Sequence, residues 1–173
     1  MMFKIIGAAC IIVATTAIGF GQSFRIHLRY RELLEFKKLL HLLSGEVRFG
    51  GGTLEETFRT MAGRSRPPFQ GFFDFLAEEM EKRAGERLTE IWERAVEEKL
   101  SASHLTAQDK EILLRLGNEL GCLDRETQLK TIALTVEQVE DVRKELHGEL
   151  PKKMRLYNCL GILAGVFITI LLI

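Results

Sequence analysis

The sequence lacks the cysteine pairs, strand patterns and net charge that point to several common classes of protein. Its 173 residues include three cysteines and one tryptophan, and lysine plus arginine balance aspartate plus glutamate at 24 each. Three scattered cysteines make no disulfide framework and imply no oxidising compartment. With no net charge, nothing points to nucleic acid or an acidic substrate. Because alternating β-branched runs are also absent outside the apolar ends of the chain, the composition predicts an all-α fold.

Recognisable catalytic and metal-binding motifs are absent as well. None of the four histidines has a cysteine or histidine three or four residues further on, so no metal site is expected. The sequence has no nucleophile elbow, zinc-protease helix or phosphate-binding lysine loop. The glycine-rich segment 49–53 lacks the Gly-Lys-Ser/Thr ending and is interpreted as a flexible turn. We therefore expect no enzyme activity, no cofactor, no metal and no small-molecule substrate.

What the sequence does have is an uncharged, mostly apolar stretch near each end, Ile5 to Phe24 and Leu156 to Ile173. About 18 such residues are long enough, as a helix, to cross the hydrocarbon core of a bilayer. The inner flanks of the two stretches are basic, with Arg25, Arg29, Arg31, Lys152, Lys153 and Arg155. By the positive-inside rule this predicts a two-pass protein of the cell membrane, with both termini outside and the middle in the cytoplasm.

A signal peptide is the competing interpretation of the first stretch. Ala17, Ile18 and Gly19 offer small residues near a plausible cleavage point. The protein would then be an exported helical binding module, tethered only by its C-terminus. The arginines that follow the stretch disfavour this alternative, because positive charge just past a cleavage site hinders export.

The predicted organisation is a transmembrane helix at 1–24, a cytoplasmic helical bundle at 25–155 and a second transmembrane helix at 156–173. Apolar periodicity predicts about six helices in the bundle. The first continues from the apolar stretch and ends at Ser44-Gly45. Later ones begin at the N-caps Thr53, Thr106 and Asp124, and Pro68 is expected in the first turn of another. Pro151 is expected to break the last helix. Phe69, Phe72, Phe73 and Leu76 are predicted to lie in the core.

The turn LGNELGCLDRETQ, Leu116 to Gln128, holds the polar residues with the most distinctive local setting. Its candidate functional residues are Glu119, Gly121, Asp124 and Gln128, with Gly121 expected to close the preceding helix in a left-handed conformation. Two interpretations stay open for them: contact with a partner, or capping and turn closure. In the last helix, Gly161 and Gly165 have the small-xxx-small spacing of closely packed membrane helices. Their partner would be the first apolar helix, a second copy or another membrane protein.

The whole chain resembles the stage III sporulation protein AB family of endospore-forming bacteria. The resemblance rests on the two terminal apolar stretches, Trp92 within its helix, the turn from Leu116 to Gln128 and the ending KKMRLYNCLGILAGVFITILLI. The loop FGGGTLEET departs from the expected Thr-Pro-Leu type of motif. AGERLTEIWERA and GNELGCLDRETQL also resemble motifs of the inner-membrane platform domains of type II secretion and type IV pilus systems.

The resemblance implies a non-enzymatic scaffold in the mother-cell membrane around the forespore, within a sporulation-specific transport or channel complex. Its implied partners are other stage III sporulation membrane proteins and a cytoplasmic secretion-type ATPase; a homo-oligomer is a further expectation. An alternative from another class is a small membrane enzyme that uses Glu119 or Asp124 as a base. That enzyme would need one carboxylate to be buried with a raised pKa.

Overall fold

The computed structural model describes residues 2–82, 85–121 and 124–172, except for some side chains of its first and last helices. The described residues form six α-helices and no strand, so the all-α prediction is confirmed. The helices are α1 (Met2–Phe49), α2 (Leu54–Arg64), α3 (Phe69–Glu81), α4 (Leu88–Lys99), α5 (Ala107–Leu120) and α6 (Arg125–Leu172). Helices α1 and α6 have 48 residues each, so each apolar stretch and the amphipathic helix beside it form one continuous helix.

Packing divides the chain into two compact units. Unit 1 comprises Met1–Tyr30 and Lys144–Ile173, and unit 2 comprises Arg31–Arg143. Unit 2 contains helices α2 to α5 in full, in addition to parts of α1 and α6. Within it, α3 packs against both α2 and α4, and α4 packs against α5. The boundaries predicted from the sequence, after residues 24 and 155, stay predictions.

The expected location in the cell membrane, as a two-pass protein with both termini outside, is wrong. Over the described parts of the chain, no helix combines the length and the apolar character needed to cross a membrane. The expectation rested on two uncharged, mostly apolar stretches with basic inner flanks, each about as long as a membrane-spanning helix. Both stretches also contain polar residues, among them Thr15, Gln22 and Asn158.

Two predicted helix ends are wrong as well. Helix α1 continues past Ser44 and Gly45 to Phe49; a glycine inside a helix costs only about 1 kcal/mol, which packing of the neighbouring turns offsets. Leu39, Leu40 and Leu43, on those turns, are buried. Helix α6 continues through Pro151 to Leu172. Proline removes one backbone hydrogen bond from a helix, and the bonds before and after it keep α6 continuous.

The predicted N-caps of α2 and α5 are confirmed. Thr53 Oγ1 accepts from the amide of Glu56 at 3.3 Å, and the Thr53 amide donates to Glu56 Oε2 at 3.0 Å. In the same way the Thr106 amide donates to Asp109 Oδ2 at 2.8 Å. Each pair forms a capping box, which satisfies amides that a helix start leaves without partners. Pro68, predicted in the first turn of α3, is its N-cap, so the helix begins one residue later at Phe69; the Pro67–Pro68 peptide bond is cis.

An aromatic cluster fills the core of unit 2. Trp92 of α4 meets Phe72 of α3 edge-on at 5.0 Å between ring centroids and Phe58 of α2 at 5.9 Å. Phe72 and Phe73 meet at 5.0 Å. The predicted core positions Phe69, Phe72, Phe73 and Leu76 are all buried, which confirms the apolar face of α3.

Trp92 is fixed by one hydrogen bond and one close approach. Its Nε1 donates to the carbonyl oxygen of Leu113 at 2.9 Å. On the same helix as Leu113, the backbone of Gly117 lies against the indole, so that a methyl group added to Gly117 would come within 2.6 Å of Nε1. Only a residue without a Cβ fits at this contact, because real Cβ atoms do not approach other atoms so closely. Helices α4 and α5 are therefore held at a separation that glycine sets.

Two cations of unit 2 surround the carboxylate of Glu140 on α6. Arg143 donates to it from Nε and Nη2 at 2.9 and 2.7 Å, and Lys37 Nζ of α1 donates to it at 3.0 Å. These hydrogen bonds, that of Arg143 first, lower the pKa of Glu140 from 4.5 to about 2. Glu140 thus joins α1 to α6 through an ion pair that requires an ionised carboxylate.

The Glu140 pair predicts a specific loss of stability in acid. The pKa is lower in the folded state, so the contribution is fully present above the unfolded pKa of about 4.5. It is lost as the pH falls towards the folded value of about 2. We expect Glu140→Gln to lower the urea midpoint of unfolding at pH 7. At pH 2.5, the midpoints of the variant and of the unmodified chain should differ by less than they do at pH 7.

The control for this prediction is Glu97→Gln, on the exposed face of α4. For this control variant, the difference between the urea midpoints at pH 7 and at pH 2.5 should be the same as for the unmodified chain. Equal pH dependence in the Glu140→Gln variant and the unmodified chain would contradict the prediction.

Candidate functional site

The turn between α5 and α6 brings together most of the polar residues singled out in the sequence. Gln128 Nε2 donates to the carbonyl oxygen of Leu120 at 2.8 Å, which satisfies one of the free carbonyls at the end of α5. Thr131 Oγ1 donates to Glu119 Oε2 at 2.7 Å. Two side-chain hydrogen bonds therefore join the last turn of α5 to the first turns of α6.

Asp124 caps the N-terminus of α6, as predicted. Its Oδ2 accepts from the Thr127 hydroxyl at 2.8 Å and from the Thr127 amide at 3.0 Å. These bonds, with a further one from the amide of Glu126, lower the pKa of Asp124 below its usual 3.8. The carboxylate is therefore ionised at neutral pH, where its charge also complements the positive end of the helix dipole.

Gly121 ends α5 without the expected left-handed conformation. Its φ is −70°, in the right-handed helical region. The helix is closed instead by the Gln128 side chain, so the orphan carbonyl of Leu120 needs no Schellman-type bond. Gly121 also lies close to the start of α4, since a Cβ there would be 3.9 Å from Leu88 and Thr89.

Arg125 extends the connection to α1. Its Nε donates to the carbonyl oxygen of Val47 at 2.6 Å, and its Nη2 donates to that of Arg48. A guanidinium on the last carbonyls of a helix satisfies unpaired acceptors and lies at the negative end of the helix dipole. The C-termini of α1 and α5 and the N-terminus of α6 thus meet at one turn.

Phe49 is the last residue of α1, next to the carbonyls that Arg125 binds. Its side chain is 84% exposed, the largest value among the exposed large hydrophobic residues described in the chain. The glycine-rich loop follows it, so no bulky neighbour in residues 50–52 covers the ring. We refer to Phe49 and Arg125, both exposed at this turn, as the candidate docking surface.

Phe49 and Arg125 were missed by the sequence analysis. A signal for Phe49 was present, because it does not continue the apolar stripe that Phe36, Leu40 and Leu43 form on its own helix. A large aromatic residue that lies off that stripe is a candidate for partner contact. Arg125 carried no comparable signal, since its acceptors are 77 and 78 residues away in the chain.

The side chains at the turn are better arranged to cap the helix ends than to carry out acid–base catalysis. Asp124 is exposed and its pKa is lowered, whereas a carboxylate that acts as an effective general base at neutral pH needs a raised pKa. Glu119 is also exposed and accepts a hydrogen bond from Thr131. Within the described residues, no three histidine, cysteine, aspartate or glutamate side chains are placed to hold a metal ion.

Gly161 and Gly165 lie in α6, in its unit 1 part, but their surroundings are outside the described residues. The predicted close packing at these glycines therefore stays a prediction.

Fold and site together define a class: an all-α protein whose helical domain is closed by a capped turn. The family model of stage III sporulation protein AB matches residues 4–173, and the chain belongs to this family. Stage III sporulation protein AB of Bacillus subtilis (strain 168) is 27% identical over 171 residues, which cover 99% of each chain.

A solved structure of stage III sporulation protein AB (SpoIIIAB) has a similar fold. The TM-score is 0.66 at 21% identity, and the match covers 71% of this chain and 96% of the solved one. At this identity the likeness shows the fold alone. The sequence-based recognition of the family is confirmed by the family model and by the full-length relative.

Proposed function

We propose that this chain is a non-enzymatic scaffold in a sporulation-specific transport or channel complex, in which unit 2 couples a secretion-type ATPase to other stage III sporulation proteins. Membership of the stage III sporulation protein AB family supports a role in a sporulation complex. The observation that carries the docking role is the exposure of Phe49 beside a turn that three helix ends share.

A scaffold that transmits force or position needs a docking surface that does not reorganise on binding. The backbone beside Phe49 is held by Arg125, and Arg125 is fixed in turn at the start of α6, where Asp124 caps the helix. A surface ordered in advance loses little conformational entropy when a partner binds. Aromatic side chains at the centre of such surfaces commonly contribute most of the binding energy.

The four turn residues support this surface in our proposal. Gln128 and Glu119 join α5 to α6, Asp124 fixes the start of α6, and Gly121 lies next to the start of α4. They would act on partner binding chiefly by holding Phe49 and Arg125 in position. This combines the two interpretations left open by the sequence, since turn closure and partner contact then use the same segment.

The test is binding of the purified secretion-type ATPase of the same complex to the full chain. We expect Phe49→Ala to raise the Kd by roughly thirty-fold, equivalent to about 2 kcal/mol, because a central aromatic contact is lost. The Phe49 side chain is exposed in the free chain, so the urea midpoint should not change.

The matched control is Leu134→Ala, which removes another exposed large apolar side chain of unit 2, 51% exposed on α6. Leu134 lies about three turns beyond the cap residue Asp124, so its loss should leave the Kd unchanged. Equal Kd values for the Phe49→Ala variant and the unmodified chain would reject the docking surface. No binding by the unmodified chain would reject the coupling role itself.

A further inference from the structure

A groove with a volume of about 330 Å³ lies between α5 and α6 on the surface of unit 2. Residues of α5 from Gln108 to Arg115 form one wall, and residues of α6 from Gln138 to Val142 form the other. The α6 wall is distant from the candidate docking surface, since Asp141 lies about 24 Å from Arg125 along the helix. We call this feature the α5–α6 groove.

We propose that the α5–α6 groove binds an arginine side chain of another protein. The charges in the groove select a cation. Glu111 and Arg115 pair with each other at 3.1 Å, which leaves the carboxylate of Asp141. Among the described residues, Asp141 has no ion pair and no hydrogen bond. An anion would therefore meet two carboxylates and one guanidinium that is already paired.

A neutral apolar occupant is disfavoured for a second reason. It would remove the carboxylate of Asp141 from water without giving it a partner, which costs free energy. A guanidinium would instead replace the lost water with charge-assisted hydrogen bonds, and these are the stronger kind. A metal ion is also a poor match, because the described residues place no three carboxylate, histidine or cysteine side chains around one point.

The other side chains of the groove favour arginine among cations. Gln108 and Gln138 contribute one amide on each wall, and neither amide is hydrogen-bonded within the part of the chain that the structure describes. Their oxygens add acceptors beside the carboxylate. A guanidinium offers more N–H donors than an ammonium group, in a planar arrangement. Ile112 and Val142 are half-buried in the groove and provide apolar contact for the aliphatic stem of an arginine.

The open shape of the groove favours an arginine that a protein carries over a free small molecule. Sites for small molecules usually bury roughly 70–90% of the ligand surface. Here the charged and amide side chains of both walls are exposed, so a small molecule would be covered on one side only. The α5 wall is about 10 Å long, which lets a peptide segment contact the groove on either side of its arginine.

The test is a titration of the full chain with Nα-acetyl-arginine amide, which has the arginine side chain and no charge at either end. Binding is followed through the backbone amide NMR shifts of residues 108–115 and 138–142. We expect saturable shifts in both segments, and binding about tenfold weaker for Asp141→Asn because a charge-assisted hydrogen bond is lost. Asp141 is exposed, so the urea midpoint should change little.

The matched control is Glu137→Gln, which removes an exposed carboxylate of the same helix that does not line the groove. Its affinity for the probe should equal that of the unmodified chain. Two further probes test the identity of the occupant. Nα-acetyl-lysine amide should bind several-fold more weakly. A peptide with two alanines on each side of the arginine should bind several-fold more tightly, since it contacts more of the walls.

Four results would overturn the proposal: no saturable shift in the two segments, equal affinities of the Asp141→Asn variant and the unmodified chain, equal binding of the lysine probe, or a peptide that binds no more tightly than the single arginine. None of these measurements includes the ATPase, so their outcome is independent of the proposed docking function.

Discussion

Replacing Gly117 with alanine is expected to lower the free energy of unfolding by about 3 kcal/mol, as overpacking and loss of a buried hydrogen bond add together. The new methyl group would overlap the indole ring of Trp92, which is 1% exposed. Displacing the ring would also break its hydrogen bond to the Leu113 carbonyl. Urea unfolding followed by circular dichroism measures the effect.

Gly71→Ala is the matched control, since Gly71 is an exposed glycine inside α3 and a methyl group added there would have nothing within 4 Å. There the same substitution should stabilise the chain by roughly 0.5–1 kcal/mol, the usual gain for a helix interior. If Gly117 contacts Trp92 as described, the two substitutions should change the free energy of unfolding in opposite directions. A stabilised Gly117→Ala variant would show that the helices can separate at no cost.

Truncating Phe72 to alanine is expected to cost about 3–5 kcal/mol, the range for removing a fully buried phenylalanine. Phe72 is 0% exposed and contacts both Phe73 and Trp92 at 5.0 Å between ring centroids. The cavity would lie at the centre of the aromatic cluster, where α2, α3 and α4 meet. This loss is a large part of the roughly 5–15 kcal/mol that stabilises a typical domain.

Phe75→Ala, on the same helix, provides the comparison. Phe75 is half-buried and lies beneath two cations, with Lys99 Nζ at 4.8 Å and Arg94 at 5.8 Å from its ring centroid. Its removal should cost only about 1 kcal/mol, because little buried area and two exposed cation–π contacts are lost. If the two variants were equally stable, the aromatic cluster would not be the core of unit 2.

The sequence predicted the features of the fold that depend on neighbouring residues. Capping boxes such as Thr53 with Glu56 join positions three residues apart, so their chemistry is visible in the sequence. The buried face of α3 follows from helical spacing alone, and Phe69 and Phe72 lie where that spacing places them. The family was also recognisable from motifs spread along the whole chain.

Features that depend on distant residues could not be predicted in this way. The tight contact of Gly117 with Trp92 joins two helices, and a glycine in a helix gives no sign of what lies against it. Arg125 binds carbonyls at the end of α1, and the position of that end was itself mispredicted, at Gly45. The expected left-handed Gly121 failed for a related reason, because Gln128 supplies the closure from the next helix.

The location was mispredicted because two uncharged, mostly apolar stretches with basic inner flanks were taken as evidence of membrane spans. The described residues contain no helix that is long and apolar enough to cross a membrane. The side chains that suggested a span include Leu160 and Leu163 of α6, both of which are exposed.

The decisive measurement for the docking surface is the yield of heat-resistant spores after the chromosomal copy of this chain is replaced by variants. We expect Phe49→Ala to reduce the yield sharply while the chain accumulates to its normal level, and Leu134→Ala to leave the yield unchanged. Both residues are exposed, so neither change should affect folding. A normal spore yield with Phe49→Ala would contradict the proposal that the docking surface couples the ATPase to the sporulation complex.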